Sequence, residues 1–247
     1  MVRRTYRNKG SKDNIVFSIS GAHGVGKSTI FHLLKNQTET NHKFKFFPER
    51  YVKKPPFPLG SRNKEIAFRS EIHFLQQLIK RNKNVWTYDN RYNGRIIILD
   101  RTPLCVLVYS KALFLKEKDF QLILDTYNSV KWREDKIIYL SATPEEIIKR
   151  TIKRGSLEKE RRLWNETEKN YLDNVLLFYK KMLFTEENKG KIIHIDTTNL
   201  PPYQVLEQVK AYVEDISGYS FTQKLTDQRL YEEKSDETQQ TRINRFL

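Results

Sequence analysis

One cysteine in 247 residues, Cys105, leaves this chain no partner for an internal disulfide. It lies in an apolar stretch and reads as a small buried filler, and a reducing, cytoplasmic compartment is the expectation. Long hydrophobic runs are also missing. Nothing approaches the ~20 apolar residues that cross a bilayer as a helix, so no membrane is expected among the partners. Residues 1–13 carry basic side chains with no apolar segment behind them and do not read as a secretory leader. Acids are the scarcer charge: 30 Asp and Glu against 45 Lys and Arg give a net charge of +15 and a sequence pI ≈ 9.7. Such a field draws polyanions, either nucleic acid on a basic surface or phosphorylated small molecules in a basic site. Hydrophobic residues make up 38%, a rather polar mixture but enough for one α/β core.

Glycine is scarce as well, at nine residues, yet three of the nine fall between positions 21 and 26. In NIVFSISGAHGVGKSTIFHLL, residues 14–34, Ile15, Val16, Phe17 and Ile19 make a short buried strand. Gly21-Ala22-His23-Gly24-Val25-Gly26-Lys27-Ser28 follows, then Thr29 and a helical spacing of Ile30, Phe31, Leu33 and Leu34. The loop fits G-x-x-x-x-G-K-[ST] at every fixed position, in the strand–loop–helix context the motif needs. Its glycines let consecutive N–H groups curl around an anion, and the helix adds its positive end. Lys27 is expected to reach the β- and γ-phosphates of ATP and Ser28 to ligate Mg²⁺.

Further apolar runs at 43–47, 95–100, 136–140 and 191–196 read as strands. Helical patterns at 62–83, 106–115, 120–130, 164–183 and 203–216 alternate with them. Ser141-Ala142-Thr143-Pro144-Glu145-Glu146 starts another helix, with Thr143 as cap, Pro144 in the first turn and Glu146 completing a capping box. Alternation of this kind predicts a largely parallel sheet with helices on both faces. One domain over 14–216 is expected, preceded by a basic arm at 1–13. A Pro-rich loop at 53–60 is expected over the site, and a polar, unstructured tail at 217–247.

Ligands in such folds bind at the carboxyl ends of the strands. Asp100 ends an apolar strand, where an acid can act on Mg²⁺, and Arg101 beside it can clamp a phosphate or hold a carboxylate. Glu49, after the second strand, can take a proton from an attacking hydroxyl. Arg150 and Arg154 share a helix face four residues apart, and Gly155 lets the chain bend just after them. Two arginines on such a flap can neutralise a transferring phosphoryl group.

In order and spacing these segments resemble the deoxynucleoside kinase family and the related thymidylate kinases. The agreement runs through GAHGVGKS, PER with Glu49, ILDRT at 98–102 and YLSATPEEIIKRTIKRG at 139–155. The resemblance implies a P-loop kinase fold, a five-stranded parallel sheet with an arginine-bearing lid. It implies that Glu49 is the base for the sugar hydroxyl, that Asp100-Arg101-Thr102 stands for the family's E-R-S or for D-R-[YF] of thymidylate kinases, and that Arg150 and Arg154 are lid arginines. The chain also departs from the pattern. Ser156 stands where a further lid arginine is usual, Glu71 aligns with the glutamine that meets the base, near Phe74, and Cys105-Val106-Leu107 replaces an expected aspartate.

The leading expectation is a kinase moving the γ-phosphoryl group of ATP to a deoxynucleoside, with Lys27, Arg101, Arg150 and Arg154 positioning charge and Glu49 orienting the nucleophile. A nucleoside monophosphate acceptor needs no such base and is the alternative. An alternative of another class is a polynucleotide end kinase or nucleic-acid-binding protein, suggested by the basic residues at 3–12 and 150–162. A homodimer is also among the partner states left open. The last residues, Gln240-Thr241-Arg242-Ile243-Asn244-Arg245-Phe246-Leu247, resemble a sliding-clamp-binding (PCNA-interacting) box. A short helical turn brings Ile243, Phe246 and Leu247 to one side as an apolar plug while Gln240 makes polar contacts. In a calorimetric titration, the C-terminal peptide is expected to bind its host's sliding clamp, and the Phe246→Ala/Leu247→Ala peptide is not; equal behaviour of the two reduces the ending to coincidence.

Overall fold

The structure is a computed structural model, and it describes residues 13–49, 61, 63–153 and 168–221. The expected loop at 53–60, the lid residues Arg154, Gly155 and Ser156, and Gln240, Ile243, Phe246 and Leu247 lie outside the described residues. Five strands, β1 (Ile15–Ser20), β2 (Phe44–Phe47), β3 (Ile96–Asp100), β4 (Lys136–Ser141) and β5 (Ile192–Asp196), form one sheet in the order β2-β3-β1-β4-β5. All four pairings are parallel. The helices are α1 (Lys27–Gln37), α2 (Lys64–Arg91), α3 (Cys105–Ala112), α4 (Glu117–Asn128), α5 (Pro144–Lys153), α6 (Lys169–Leu183) and α7 (Pro202–Ser217). By contact density the chain divides into two units, Met1–Leu206 and Glu207–Leu247.

In the first unit β3 is buried at every position and β1 at five of six, as a parallel sheet covered on both faces requires. Val16, Phe47, Val85, Ile97 and Leu99 form one core cluster, with Tyr88 against it. The topology is what assembles the site. The chain leaves β1 at the sheet centre, runs to the edge strand β2, and returns to β3 between them. Residues that follow β1, β2 and β3 therefore emerge side by side at the carboxyl end, where ligands bind in open parallel sheets. In the second unit the end of α7 is closed by Gly218 in a left-handed conformation (φ 65°) and by the Phe221 N–H donating to Glu214 Oε1.

Two local expectations change. Helix α2 does not stop at residue 83; it runs to Arg91. Its last turns are held by Asp89, buried, which accepts from Asn14 Nδ2 at 3.0 Å and from Arg133 Nε at 3.0 Å. Both partners are distant in sequence, so the local pattern does not carry them. Helix α5 starts where expected, but the capping box is half made. The Glu146 N–H donates weakly to Thr143 Oγ1 at 3.4 Å, while Thr143's own N–H donates to Thr198 Oγ1 at 3.1 Å and the Glu146 carboxylate takes Arg150 Nε at 2.9 Å.

Gly21 and Gly26 separate two reasons for glycine in the loop. Both have left-handed φ, 137° and 101°, which strains any side chain. A Cβ on Gly21 would also stand 2.1 Å from the Leu140 carbonyl oxygen, whereas at Gly26 nothing lies within 4 Å. In urea denaturation Gly26→Ala is expected to cost about 1 kcal/mol, the dihedral alone, and Gly21→Ala about 3 kcal/mol or more, because backbone must move. Equal losses would overturn that division.

Candidate active site

The loop after β1 and the start of α1 bring Lys27 into the interior, 5% exposed, with Nζ donating to the Ala22 carbonyl at 2.6 Å. Burial, helped by the charge of Arg101, lowers its pKa to about 7 against the opposing pull of Asp100 and Glu49. A polyanion at the loop reverses that balance, since it supplies the counter-charge burial has removed. Ser28 and Thr29 lie on the exposed side of the first turn. The His23 N–H donates to Tyr109 Oη of α3 at 3.0 Å, and the His23 ring stacks on Tyr171 of α6 with centroids 6.0 Å apart.

Across from Lys27, Arg101 Nε lies 2.7 Å from Glu49 Oε1. The side chains come from the ends of β3 and β2, adjacent strands in register. Burial alone would lower the Arg101 guanidinium; Glu49 beside it holds it well above its ordinary value. Arg101 has a left-handed backbone, φ 73°, uncommon for a residue with a side chain. Its N–H donates to the Ile19 carbonyl at 3.0 Å, and from below Arg81 of α2 donates Nη1 to the Asp100 carbonyl and Nη2 to the Arg101 carbonyl at 2.8 Å. Sequence reading missed Arg81. Its signal was there: it lies three residues after Leu78 on the apolar face of a helix, where a charged residue needs a partner.

Asp100 is 6% exposed and its Oδ1 has no hydrogen-bond partner among the described residues. Burial first, and Glu49 second, push its pKa up, against Arg101, Lys27 and Arg81. Among the described residues no cluster of three His, Cys, Asp or Glu could hold a metal alone. Glu71 and Phe74 lie on the buried face of α2, and Glu71 is pushed up to about 8 by burial, with Arg101 pulling down and Glu49 adding to the rise. Lys27, Glu49, Asp100, Arg101 and Glu71 are thus brought together.

Arg150 is not with them. Its Nε bonds Glu146, Nη1 donates to Thr197 Oγ1 at 2.9 Å, and Nη2 to the Thr197 carbonyl at 2.5 Å. All three nitrogens are spent on protein. The residue instead helps line a cavity of about 390 Å³ with Gly24, Thr29, Lys153, Thr197 and Pro201.

With this geometry in view the relatives can be placed. The family model for deoxynucleoside kinase matches residues 17–234. The chain belongs to the deoxynucleoside kinase family. Its members are phosphotransferases, and this nucleoside kinase binds nucleotide and nucleoside substrates. Solved structures of deoxyadenosine kinase from M. mycoides share the fold at 22% identity. One, with dCMP and a flexible dCDP bound, has a TM-score of 0.65 and covers 82% of this chain and 100% of its own. Another, with dCTP, has a TM-score of 0.63, covering 81% and 100%, and a third, with dATP, 0.65, covering 81% and 99%. Comparison with curated proteins gives no match. None of the described helices is long and apolar enough to cross a membrane.

One buried acid under the site makes a pH prediction. Glu134 Oε2 accepts from Thr102 Oγ1 at 2.9 Å and Ser18 also stands against the carboxyl; burial outweighs both and pushes its pKa up to about 7. The folded protein therefore keeps a proton that the unfolded chain releases near the ordinary carboxyl value, so this group's contribution to stability falls as pH rises from about 4.5 to about 7. Glu134→Gln keeps an acceptor for Thr102 and is expected to flatten the slope by up to about 1.4 kcal/mol per pH unit, the most one proton can give. Denaturation curves at both ends of that window check it; an unchanged slope would contradict the assignment.

Proposed function

We propose that this kinase moves the γ-phosphoryl group of ATP to the sugar hydroxyl of a deoxynucleoside. The carrying observation is the Glu49–Arg101 pair at 2.7 Å, beside Lys27 at the carboxyl end of the sheet. A hydroxyl acceptor needs a base, and Glu49 is a carboxylate held in one orientation by a guanidinium. A monophosphate acceptor needs a free cation instead, and the Nε of Arg101 is already committed. That the similar deoxyadenosine kinase structures hold dCTP and dATP agrees with nucleotide chemistry.

The residues present fit Mg²⁺. Asp100 offers a buried oxygen with no partner among the described residues, and the Ser28 hydroxyl follows Lys27 at the helix start, a sparse protein set suited to an ion that keeps waters and phosphate oxygens. When bound, Mg²⁺ supplies charge neutralisation to the phosphates. The protein's own steps are these. Backbone N–H groups of residues 21–29 other than that of His23, which donates to Tyr109, and the Lys27 ammonium hold the triphosphate in line. Glu49 takes the hydroxyl proton as the oxygen attacks, and Arg101 keeps Glu49 aimed. Arg150, tied to Thr197 and Glu146, shapes the wall of the 390 Å³ cavity, which takes the donor's base; Arg154, outside the described residues, is the arginine left to meet the transferring group. The compartment is the cytoplasm, and the C-terminal motif tethers the enzyme to a sliding clamp.

Labelled ATP against deoxynucleosides, nucleoside monophosphates and 5′-hydroxyl oligonucleotides tests the acceptor. Label is expected on nucleosides; label on oligonucleotides alone, weakening steeply with salt, would overturn the proposal. Lys27→Ala is expected to abolish transfer in a folded protein, and Glu49→Gln to cut kcat by about 10²-fold or more. A mild Glu49→Gln effect with a monophosphate acceptor moves the assignment to a nucleotide kinase.

A further inference from the structure

One side chain of α3 joins the two halves of the site by contacts of its own. The His23 N–H, in the loop after β1, donates to Tyr109 Oη at 3.0 Å. The Arg101 guanidinium lies 5.8 Å from the Tyr109 ring centroid and stands against the same hydroxyl. Arg101 is in turn paired with Glu49 at 2.7 Å. Packing holds the ring in place between them. Tyr179 of α6 meets it edge-on with centroids 6.3 Å apart, and Tyr179 is itself fully buried against Tyr139 of β4. The His23 ring is held from α6 as well, stacked on Tyr171 at 6.0 Å. Lys27 offers a poorer link between the halves. Its Nζ donates back to the Ala22 carbonyl, and Lys27 and Arg101, as like charges, disfavour each other.

We propose that Tyr109 is a positioning residue that couples the two substrates, its hydroxyl passing the ordering of the loop after β1 to the Glu49–Arg101 pair. The inference rests on the triphosphate donor and nucleoside acceptor proposed above. Each ligand fixes groups that move more freely without it, and fixing them costs conformational entropy. A hydroxyl shared by the loop and the guanidinium makes part of that cost common to both sites. The first ligand to bind meets the shared part, and the second binds more tightly for it. Coupling of this kind is reciprocal: the donor tightens the acceptor by the same factor as the acceptor tightens the donor. Tyr109 acts through His23 and Arg101, and the oxygen atom is the part of the side chain that makes the link.

The experiment is calorimetric titration of the full-length protein with the common deoxynucleosides, alone and with a saturating non-hydrolysable ATP analogue, and the reverse titration. In the wild type the Kd of each ligand is expected to fall about fivefold to tenfold when the other is present. Tyr109→Phe keeps the ring and its packing and removes only the oxygen. Its coupling ratio is expected to drop to about twofold or less, while each ligand's Kd alone changes by less than about threefold. Tyr179→Phe removes a buried phenol oxygen from the same cluster and is expected to keep the wild-type ratio. A hydroxyl serving stability alone would lower Tm in either variant and leave the ratio unmoved. The wild-type ratio needs no variant to fold, and a value near one overturns the role of Tyr109. An undiminished ratio in Tyr109→Phe, or an equal loss in Tyr179→Phe, does the same, and all three leave the nucleoside kinase assignment standing. Deoxynucleosides that neither bind nor take label from ATP overturn the acceptor assignment and this inference with it.

Discussion

The Arg81 guanidinium, 1% exposed within α2, donates to the carbonyls of two consecutive residues, Asp100 and Arg101. A rigid fork suits this task in a way an ammonium does not, because two parallel donors fix the orientation of both peptide groups. The turn it grips is strained, since Arg101 has φ 73°, a conformation that costs about 1 kcal/mol or more for a residue with a Cβ. Released, the turn would relax and swing both side chains. Held, it sends Asp100 toward Lys27 and Arg101 toward Glu49. The backbone N–H of Arg101 completes the hold by donating to Ile19 of β1, so the central strand, α2 and the turn form one unit. A charge in the core is the means by which this end of the sheet is kept in one geometry.

Burial dominates the electrostatics that result. It is the largest cause acting on Lys27, Asp100, Glu71 and Glu134 alike, lowering the amine and raising the acids. Such groups destabilise the folded protein, and an apolar core of the same shape would be firmer. They make sense only together with ligands. On the function proposed above, a triphosphate would supply the charge that Lys27 lacks and a cation a partner for the Asp100 oxygen. The apolar β1 and β3 beneath them, and the Val16–Ile97–Leu99 cluster, offset the cost.

How much of this could be read from the residues follows from how local each signal is. The P-loop was legible because its glycines, lysine and flanking strand and helix lie within 21 consecutive residues. The meeting of Glu49 with Arg101 was legible through topology: once 43–47 and 95–100 are strands of a parallel sheet, their carboxyl ends fall on one edge. The last turns of α2 were not, because the fourteenth and one hundred and thirty-third residues, Asn14 and Arg133, hold Asp89. Arg81 was lost for a related reason. A helix pattern scores an arginine as solvent-facing, and only the strained turn shows why this one is inside. Arg150 was legible as a helix-face arginine, but its spacing to Arg154 does not reveal that Thr197 and Thr198, forty-seven and forty-eight positions on, occupy its guanidinium.

Tyr109 extends the hold on the acceptor side to the phosphate loop. Its hydroxyl accepts the His23 N–H at 3.0 Å, and its ring lies 5.8 Å from the Arg101 guanidinium. Burial pushes its pKa up to about 12, so it remains a neutral phenol throughout the working range and does not compete with Glu49 for Arg101 as an anion would. One side chain on α3 thus touches both the loop after β1 and the Arg101 guanidinium. Any shift of that loop would therefore reach Tyr109 and, through it, Arg101. Because α3 also packs on α2 and α6, that movement is resisted from two sides. In-line transfer requires donor and acceptor to be placed to within a fraction of an ångström, and on the function proposed above a short link between the loop and the Glu49–Arg101 pair suits that requirement.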